Sequence, residues 1–310
     1  MRAADCSEPS AIRAAAEVLR AGGLVAFPTE TVYGLGANAL DAAAVARVFE
    51  AKGRPSTNPV IVHVASASDV LNVCAEWPAT AARLAERFWP GPLTLVVPKG
   101  LAVPEIVTAG GNTVAVRCPN HPVARALIEA AGVPVAAPSA NRSTELSPTR
   151  AEHVVKSLNG RIDFVLDGGP CSGGIESTVV DVTGSVPRVL RPGLISAPQI
   201  AEVVGRVEVG ASAEGVARSP GQMARHYSPR TPLVLVVNAD AAQEQLNGQG
   251  LRAIAVRFAR DDPERFAAEL YATLHALDAE SWDRIVIELP PDTPEWAGVR
   301  DRLMRAAAGA

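Results

Sequence analysis

Lysine is nearly missing from this chain: of its 29 basic residues only Lys52, Lys99 and Lys156 are lysines, the rest being arginines. Aromatic residues are scarce at 4%, so Ala, Val and Leu must fill the core, and few rings remain for stacking on nucleic-acid bases. The four cysteines, Cys6, Cys74, Cys118 and Cys171, show no C-x-x-C spacing. That argues against zinc and disulfide frameworks and suits free thiols in a reducing compartment. No apolar run approaches membrane-spanning length, and the start, with Asp5 and Glu8, lacks the apolar stretch of a secretory signal; a cytoplasmic location is expected. Positive charge is not in excess either. The net charge is −4, and residues 230–310, with 9 arginines and 13 acidic residues, account for all of it. A chain neutral over its first 229 residues is poorly suited to hold nucleic acid by bulk electrostatics, so any anion site must be a local cluster. Gly-x-x-x-x-Gly-Lys-[Ser/Thr], His-Glu-x-x-His and Gly-x-Ser-x-Gly are all missing, so ATP chemistry would need a different cradle.

What is present is 48% hydrophobic and 20% charged residues over 310 positions, an ordinary globular balance with room for two domains. Helices are expected over 10–21 (Ser10 capping), 41–51 (Asp41 capping, Gly53 closing), 79–88, 122–131 and 149–159, with a capping box Ser66-x-x-Asp69 opening another. Short strands are expected over 24–27, 59–64, 93–97, 113–118, 134–136, 162–166, 178–182 and 188–190. A helix from Ser196-x-x-Gln199 to about 204 precedes a Gly/Ser/Pro-rich stretch, 210–232, that reads as a linker. Beyond it, strands at 233–237, 253–256 and 284–288 alternate with helices at 240–247, 263–277 and 294–307. The pattern is α/β with a largely buried sheet, followed by a small β/α domain.

Five segments could carry chemistry. Lys52-Gly53-Arg54-Pro55-Ser56-Thr57-Asn58-Pro59 puts two cations and an amide just before the strand that carries His63. Such a loop can surround a polyanion, or it is a solvated turn after a helix; the rare ammonium at position 52 suits a point charge at phosphate. Strand alternation puts Ile61 and His63 on one face, where His63 is a ligand-facing group or a satisfied core histidine. Phe27–Gly36 reads as a loop after a strand and offers Thr29, Glu30, Thr31 and two glycines to a small polar ligand. Its Gly34-x-Gly36 fails as a dinucleotide fingerprint for want of the third glycine. Thr113, Ala115 and Arg117 share a strand face, the arginine suiting a carboxylate, a phosphate or a cross-strand ion pair. Ala137–Ser143, leading to Ser147, is rich in hydroxyls and amides, as both phosphate-binding segments and plain loops are. Gly173-Gly174-Ile175-Glu176-Ser177-Thr178, followed by Arg188 and Arg191, combines glycines that permit close backbone approach with positive charge.

Read in order, PTETVYGLGANA at 28–39, KGRPSTNPVIVHV at 52–64, FWPGPLTLVV at 88–97, TVAVRCPNHP at 113–122, APSANRS at 137–143, GGIESTVVD at 173–181 and VLRPG at 189–193 resemble the YrdC-like threonylcarbamoyl-AMP synthase family. SPGQMARHYSP at 219–229 is similar to the interdomain linker of the family's longer, two-domain type. The resemblance spans 10–229; over 230–310 only position and β/α pattern match. It implies a twisted α/β sheet domain with a concave, positively lined groove over 8–205, a linker over 206–230, and a small Rossmann-like β/α domain over 231–310. The activity implied is condensation of L-threonine, bicarbonate and ATP into threonylcarbamoyl-adenylate, with release of pyrophosphate. A separate transferase would then carry the product to adenosine 37 of tRNAs reading codons that begin with A, so tRNA would be met only indirectly.

Carried over by position, Thr31, His63, Arg117, Ala137 and Ser177 would hold threonine, Arg117 pairing with its carboxylate. Arg54, Asn58, Thr113, Ser139, Ser147, Arg191 and Tyr227 would hold ATP, and Asn141 would meet phosphate or support its loop. Lys52 would stand near the phosphates, so that Lys52, Arg54 and Arg117 carry the catalysis, and His226 with Tyr227 would fold over the nucleotide. Mg²⁺ would bridge the ATP phosphates and keep most of its waters, without a protein cage. The difficulty of this chemistry is anion meeting anion, which calls for cations, backbone donors and positioning. His63 is a candidate base for the amine. The C-terminal domain either gates the pocket or stabilises it passively. Two other readings are a double-stranded-RNA-binding or ribosome-maturation module, disfavoured by the neutral charge and few aromatics, and a carbamoyl-transfer domain of the hydrogenase-maturation kind, whose zinc-finger cysteines are lacking.

Overall fold

Short β-branched runs between capped helices leave each strand covered on both faces, and the elements stack accordingly. A computed structural model describes residues 2–6, 8–210 and 227–308. The first part consists of β1 (Arg2–Asp5), α1 (Pro9–Arg20), β2 (Val25–Phe27), β3 (Gly34–Asn38), α2 (Ala42–Lys52), β4 (Ile61–His63), α3 (Ala79–Phe88), β5 (Leu93–Pro98), α4 (Glu105–Thr108), β6 (Thr113–Arg117), α5 (Pro122–Ala131), β7 (Val135–Ala136), α6 (Ala151–Leu158), β8 (Phe164–Asp167), β9 (Thr178–Asp181), β10 (Arg188–Arg191), α7 (Ala197–Val204) and β11 (Glu208–Val209). Its strands form one mixed sheet in the order β1-β8-β2-β3-β7-β4-β6-β5-β9-β10-β11. One apolar cluster, with Val45, Val62, Leu84, Leu95 and Val116, covers one side of its centre, and another packs Leu19 and Leu127 against Phe27 and Phe164. Asp41 caps α2 by accepting from the amides of Ala43 and Ala44 at 2.9 and 3.2 Å, and Gly53 closes that helix in the left-handed region at φ +61°. The end of α2 and the start of β4 thus fix both ends of the 53–60 loop.

The second part consists of β12 (Leu233–Val236), α8 (Ala239–Gly248), β13 (Ala253–Val256), α9 (Pro263–Leu277), β14 (Arg284–Glu288) and α10 (Ala297–Ala307), with an all-parallel sheet in the order β12-β14-β13. Its core residues Phe266, Leu270, Tyr271 and Leu303 belong to the same apolar cluster as Val32, Leu146, Ile175 and Tyr227. At Gly174, whose φ is +73°, an added Cβ would lie 2.1 Å from the carbonyl oxygen of Ala267. Only glycine lets this segment press against α9.

Several expectations are corrected. Gly34–Asn38 is a strand paired with β2 rather than the end of a loop, although Gly34 does line the cavity described below; Gly36 is glycine because a Cβ there would meet Phe27 and Val135 at 2.8 and 2.7 Å. The Ser66 capping box opens a 3₁₀ turn, Ala67–Asn72, rather than an α-helix. Helix α1 begins at Pro9, so Ser10 is inside it, and its hydroxyl donates to Glu8 Oε2 at 3.2 Å. β1, α4 and β11 were not anticipated; at two to four residues they carry too little periodicity to read. No helix among the described residues is long and apolar enough to cross a membrane.

Candidate functional site

The site begins where β4 and β6 lie parallel, with His63 beside Arg117 and Ile61 beside Ala115. Alternation carries His63 and Arg117 to the same face, and a cavity above it is lined by both. Thr31, Ala137 and Ser177 line it from neighbouring segments, and Arg54, Ser139, Arg191 and Tyr227 complete its wall. Nine of the expected positions therefore meet in one place. His226, expected beside Tyr227, and residues 211–225 lie outside the described residues.

The arginines, Thr31 and Ser177 are held by their neighbours, whereas His63 Nδ1 is buried without a hydrogen-bond partner. Arg117, buried at 4% exposure, donates from Nε to the carbonyl of Gly91 at 3.3 Å and from a terminal nitrogen to Thr31 Oγ1 at 2.9 Å. Its other terminal nitrogen forms an ion pair with Glu30 Oε1 at 2.6 Å. Thr29 shapes this corner: its hydroxyl donates to the carbonyl of Val32 at 2.6 Å and accepts from the amides of Thr31 and Val32, both at 3.2 Å. Arg54 donates to the carbonyls of Asn58 at 3.3 Å and Pro59 at 3.0 Å, which folds its loop around the guanidinium. Burial lowers the Arg54 pKa to about 10, so it is still charged at neutral pH. Arg191 donates to the carbonyl of Ser177 from two nitrogens, at 3.1 and 3.0 Å, and to its hydroxyl at 3.1 Å. The Ser177 hydroxyl also meets Thr94 Oγ1 at 2.8 Å.

His63 is neutral. Burial first, and the Arg117 charge second, hold its pKa at about 3. A histidine depressed in the folded state costs stability as pH falls below its ordinary value near 6.5, because the unfolded chain then takes up a proton that the native chain refuses. Unfolding free energy should therefore drop between pH 7 and pH 5, with His63 alone contributing about 2 kcal/mol of the drop. His63→Gln should show a correspondingly shallower drop in urea titrations at the two pH values, and an equal drop would contradict the assignment of a buried neutral imidazole.

The remaining expected residues sit outside the cavity wall. Lys52 lies behind that wall, close to Arg54. Its ammonium is buried and donates to the carbonyl of Ser139 at 2.6 Å, the carbonyl of Asn141 at 2.5 Å and Asn141 Oδ1 at 3.4 Å. Burial and the nearby Arg54 push its pKa well below the usual lysine value. Three carbonyl oxygens take the three donors of an ammonium, so Lys52 shapes the 139–141 segment rather than offering a free point charge. Asn141 supports the same loop, donating to the carbonyls of Arg142 and Glu145 at 3.0 and 2.8 Å. Asn58 serves through its carbonyl, which holds Arg54. Thr113 shares the Arg117 face but at the opposite end of β6, roughly 13 Å away at strand spacing. Ser147 donates to Glu176 Oε1 at 2.5 Å.

Two polar positions at the site were missed, and a third was named without its partner. Glu30 was read as a carboxylate for a small polar ligand, whereas it pairs with Arg117. Glu176 stood inside a quoted motif, but nothing local marked its carboxylate as the partner of Ser147. Arg302 carried no signal at all; it is one cation of an amphipathic helix, yet it is fully buried against Glu176.

A mixed α/β sheet that walls in three restrained arginines, a neutral histidine and several hydroxyls defines an α/β protein with a largely buried, arginine-lined site. The chain belongs to the Sua5–YciO–YrdC family. That family's model, described as "Telomere recombination", matches residues 17–193, and a second model, described as "Threonylcarbamoyl-AMP synthase, C-terminal domain", matches residues 195–308. The chain is similar to a threonylcarbamoyl-AMP synthase of Bacillus subtilis, at 43% identity over 96% of this chain and 93% of that protein. It is likewise similar to one of Pyrococcus abyssi, at 42% identity over 96% and 94%. The solved structure of P. abyssi Sua5 complexed with L-threonine superposes with a TM-score of 0.89 at 41% identity, covering 96% of this chain and 94% of that one.

Proposed function

We propose that this protein is an L-threonylcarbamoyladenylate synthase that condenses L-threonine, bicarbonate and ATP. The observation that carries the reading is the meeting, in one cavity, of Arg117, Thr31 and His63 with Arg54, Arg191 and Ser139. One group suits a small amino acid and the other an oligophosphate. The likeness to relatives named threonylcarbamoyl-AMP synthase over both parts of the chain supports it.

In this reading Arg117 takes the threonine carboxylate, with Thr31, His63, Ala137 and Ser177 around the rest of the amino acid. The neutral amine attacks bicarbonate, forming a carbamate and releasing water. A carbamate oxygen then attacks the α-phosphorus of ATP, and the bond to pyrophosphate breaks. Both partners of that second step are anions, so Arg54 and Arg191 lower the barrier by neutralising charge in a site from which water is largely excluded. Neutral His63 can accept a hydrogen bond from the amine without adding charge of its own; with a pKa of about 3 it positions the amine and does not take its proton. Asn58, Thr113, Ser139, Asn141, Ser147 and Tyr227 frame the nucleotide, and Lys52 acts by holding the 139–141 segment. ATP enters as its Mg²⁺ complex. The nearby carboxylates Glu30 and Glu176 are engaged by Arg117 and Arg302, so no protein ligand set is assigned to the ion. We place the protein in the cytoplasm, handing its product to a separate transferase that modifies tRNA.

The test is pyrophosphate release from ATP-Mg²⁺ with L-threonine and bicarbonate each supplied or withheld. Release that needs both is expected. Release with neither would indicate a plain ATPase, and tight RNA binding without turnover would favour an RNA-binding module.

A further inference from the structure

Arg302, on α10, is the largest side chain among the described residues with no exposed surface. Its Nε donates to Glu176 Oε2 at 2.6 Å and a terminal nitrogen to the Glu176 carbonyl at 3.3 Å. The remaining nitrogen donates to the carbonyl of Pro192 at 3.0 Å and to Asp301 Oδ2 at 2.7 Å. The other Glu176 oxygen accepts from Ser147, and Tyr271 of α9 donates to Oε2 at 3.3 Å. The Arg302 guanidinium also lies over the Tyr227 ring, 5.3 Å from its centre. Glu176 and Tyr227 both line the cavity. The backbone is built to transmit this contact. A Cβ on Gly298 would fall 2.6 Å from the carbonyl of Gly193, and one on Gly193 would fall 2.7 Å from the carbonyl of Glu176. Helix α10, the 192–193 turn and the 176–178 segment are therefore stacked with no side chain between them.

We propose that Arg302 is a positioning residue of the substrate site: it neutralises Glu176 in the cavity wall, holds Ser147 through that carboxylate, and holds Tyr227 directly by lying over its ring, all for an anionic nucleotide. The C-terminal part thereby contributes to the site electrostatically, not only as a buttress. A carboxylate in the wall of a phosphate site is repulsive unless its charge is cancelled, and Arg302 is the group that touches it. The other charged or titratable groups facing Glu176 are Asp301 on α10, Tyr271 on α9, Arg191 on β10, Tyr227, and Lys52 on α2. Burial alone would raise the Glu176 pKa, but Arg302, then Arg191 and the Ser147 hydrogen bond, bring it below the ordinary value, so the pair is fully ionised at neutral pH. Burial opposes the Arg302 charge as well, yet Glu176 holds its pKa well above the ordinary arginine value.

The choice of ATP as probe rests on the synthase reading. The experiment uses the full chain and compares wild type, Arg302→Met and Arg302→Met/Glu176→Gln, measuring ATP-Mg²⁺ affinity by calorimetry and KM for ATP and threonine between pH 6 and pH 8. Without Arg302, burial is opposed only by Arg191 and the Ser147 hydrogen bond, so the Glu176 pKa rises from its wild-type position. Its anionic form then repels ATP, so affinity in Arg302→Met should fall about tenfold at pH 8 and much less at pH 6, with threonine KM changing less than about threefold. Wild type and the double variant should be flat over the same range. A flat Arg302→Met profile, or a slope that persists in the double variant, overturns the proposal. If Arg302→Met does not fold, Glu176→Gln alone should weaken ATP roughly fivefold through Ser147, and unchanged affinity would be decisive against it. Wild-type turnover that ignores threonine and bicarbonate would count against the synthase reading instead, and the ATP affinities would still decide the role of Arg302.

Discussion

Replacing Arg117 with alanine should lower kcat/KM for L-threonine by about 10³-fold while leaving ATP affinity within a few-fold of wild type. Two charge-assisted hydrogen bonds to a carboxylate, each worth roughly 2 kcal/mol, amount to that factor. The structure adds a second cost. Arg117 is ion-paired to Glu30 at 2.6 Å and fixes the Thr31 hydroxyl at 2.9 Å, so its loss leaves a buried carboxylate facing the substrate's own carboxylate. Arg117→Lys should recover little, because one ammonium cannot reach Gly91, Thr31, Glu30 and the ligand together. Adding Glu30→Gln to Arg117→Ala should restore stability but not turnover. The check is initial-rate pyrophosphate release over a threonine series at saturating ATP, with urea unfolding run in parallel. An Arg117→Ala protein within tenfold of wild type would remove this residue from the threonine site.

Arg54→Ala should act on the other substrate. A fall of roughly 10²–10³-fold in kcat/KM for ATP is expected, with threonine binding little altered. Arg54 is anchored through Asn58 and Pro59, and its remaining donor capacity is directed at the cavity. Because the guanidinium is buried, the deficit should persist at 0.5 M salt, where the contribution of an exposed cation would be largely screened. Arg54→Lys should also be poor, since the two carbonyl anchors use the geometry of a planar fork. The comparison to make is ATP titration at fixed threonine against threonine titration at fixed ATP. If Arg54→Ala raised the threonine KM instead, the two ends of the cavity would have to be exchanged.

Legibility in the sequence followed the range of the interaction. Period-two alternation placed His63 with Ile61 and Arg117 with Ala115 on one face of their strands, and the observed register aligns the two as neighbours beside the cavity. Asp41 and Gly53, read as cap and stop of one helix, act as both. Gly34 and Gly36 misled for a physical reason: glycine is a poor strand former, so a turn is the better local reading, while the packing of Phe27 and Val135 leaves no room for a larger residue in the strand that forms. Lys52 misled in the same way. A lone lysine in an arginine-rich chain looks like a phosphate ligand until the carbonyls of Ser139 and Asn141 are found around it.

Local chemistry could be read along the chain because it depends on residues a few positions apart: helix caps, strand faces and the clustering of cations and hydroxyls in loops. Those features were enough for the α/β class, whereas the family and the nine positions of the cavity came from the resemblance of whole motifs to known relatives. Which charges cancel one another was decided only by folding. Arg302 and Glu176 stand 126 positions apart, and Arg117 and Thr31 86 apart, with no periodic pattern linking them. Their pairing arises because sheet order and the close stacking of α10 on the 192–193 turn bring distant segments into a low-dielectric interior, where a buried charge is costly unless its partner is in contact.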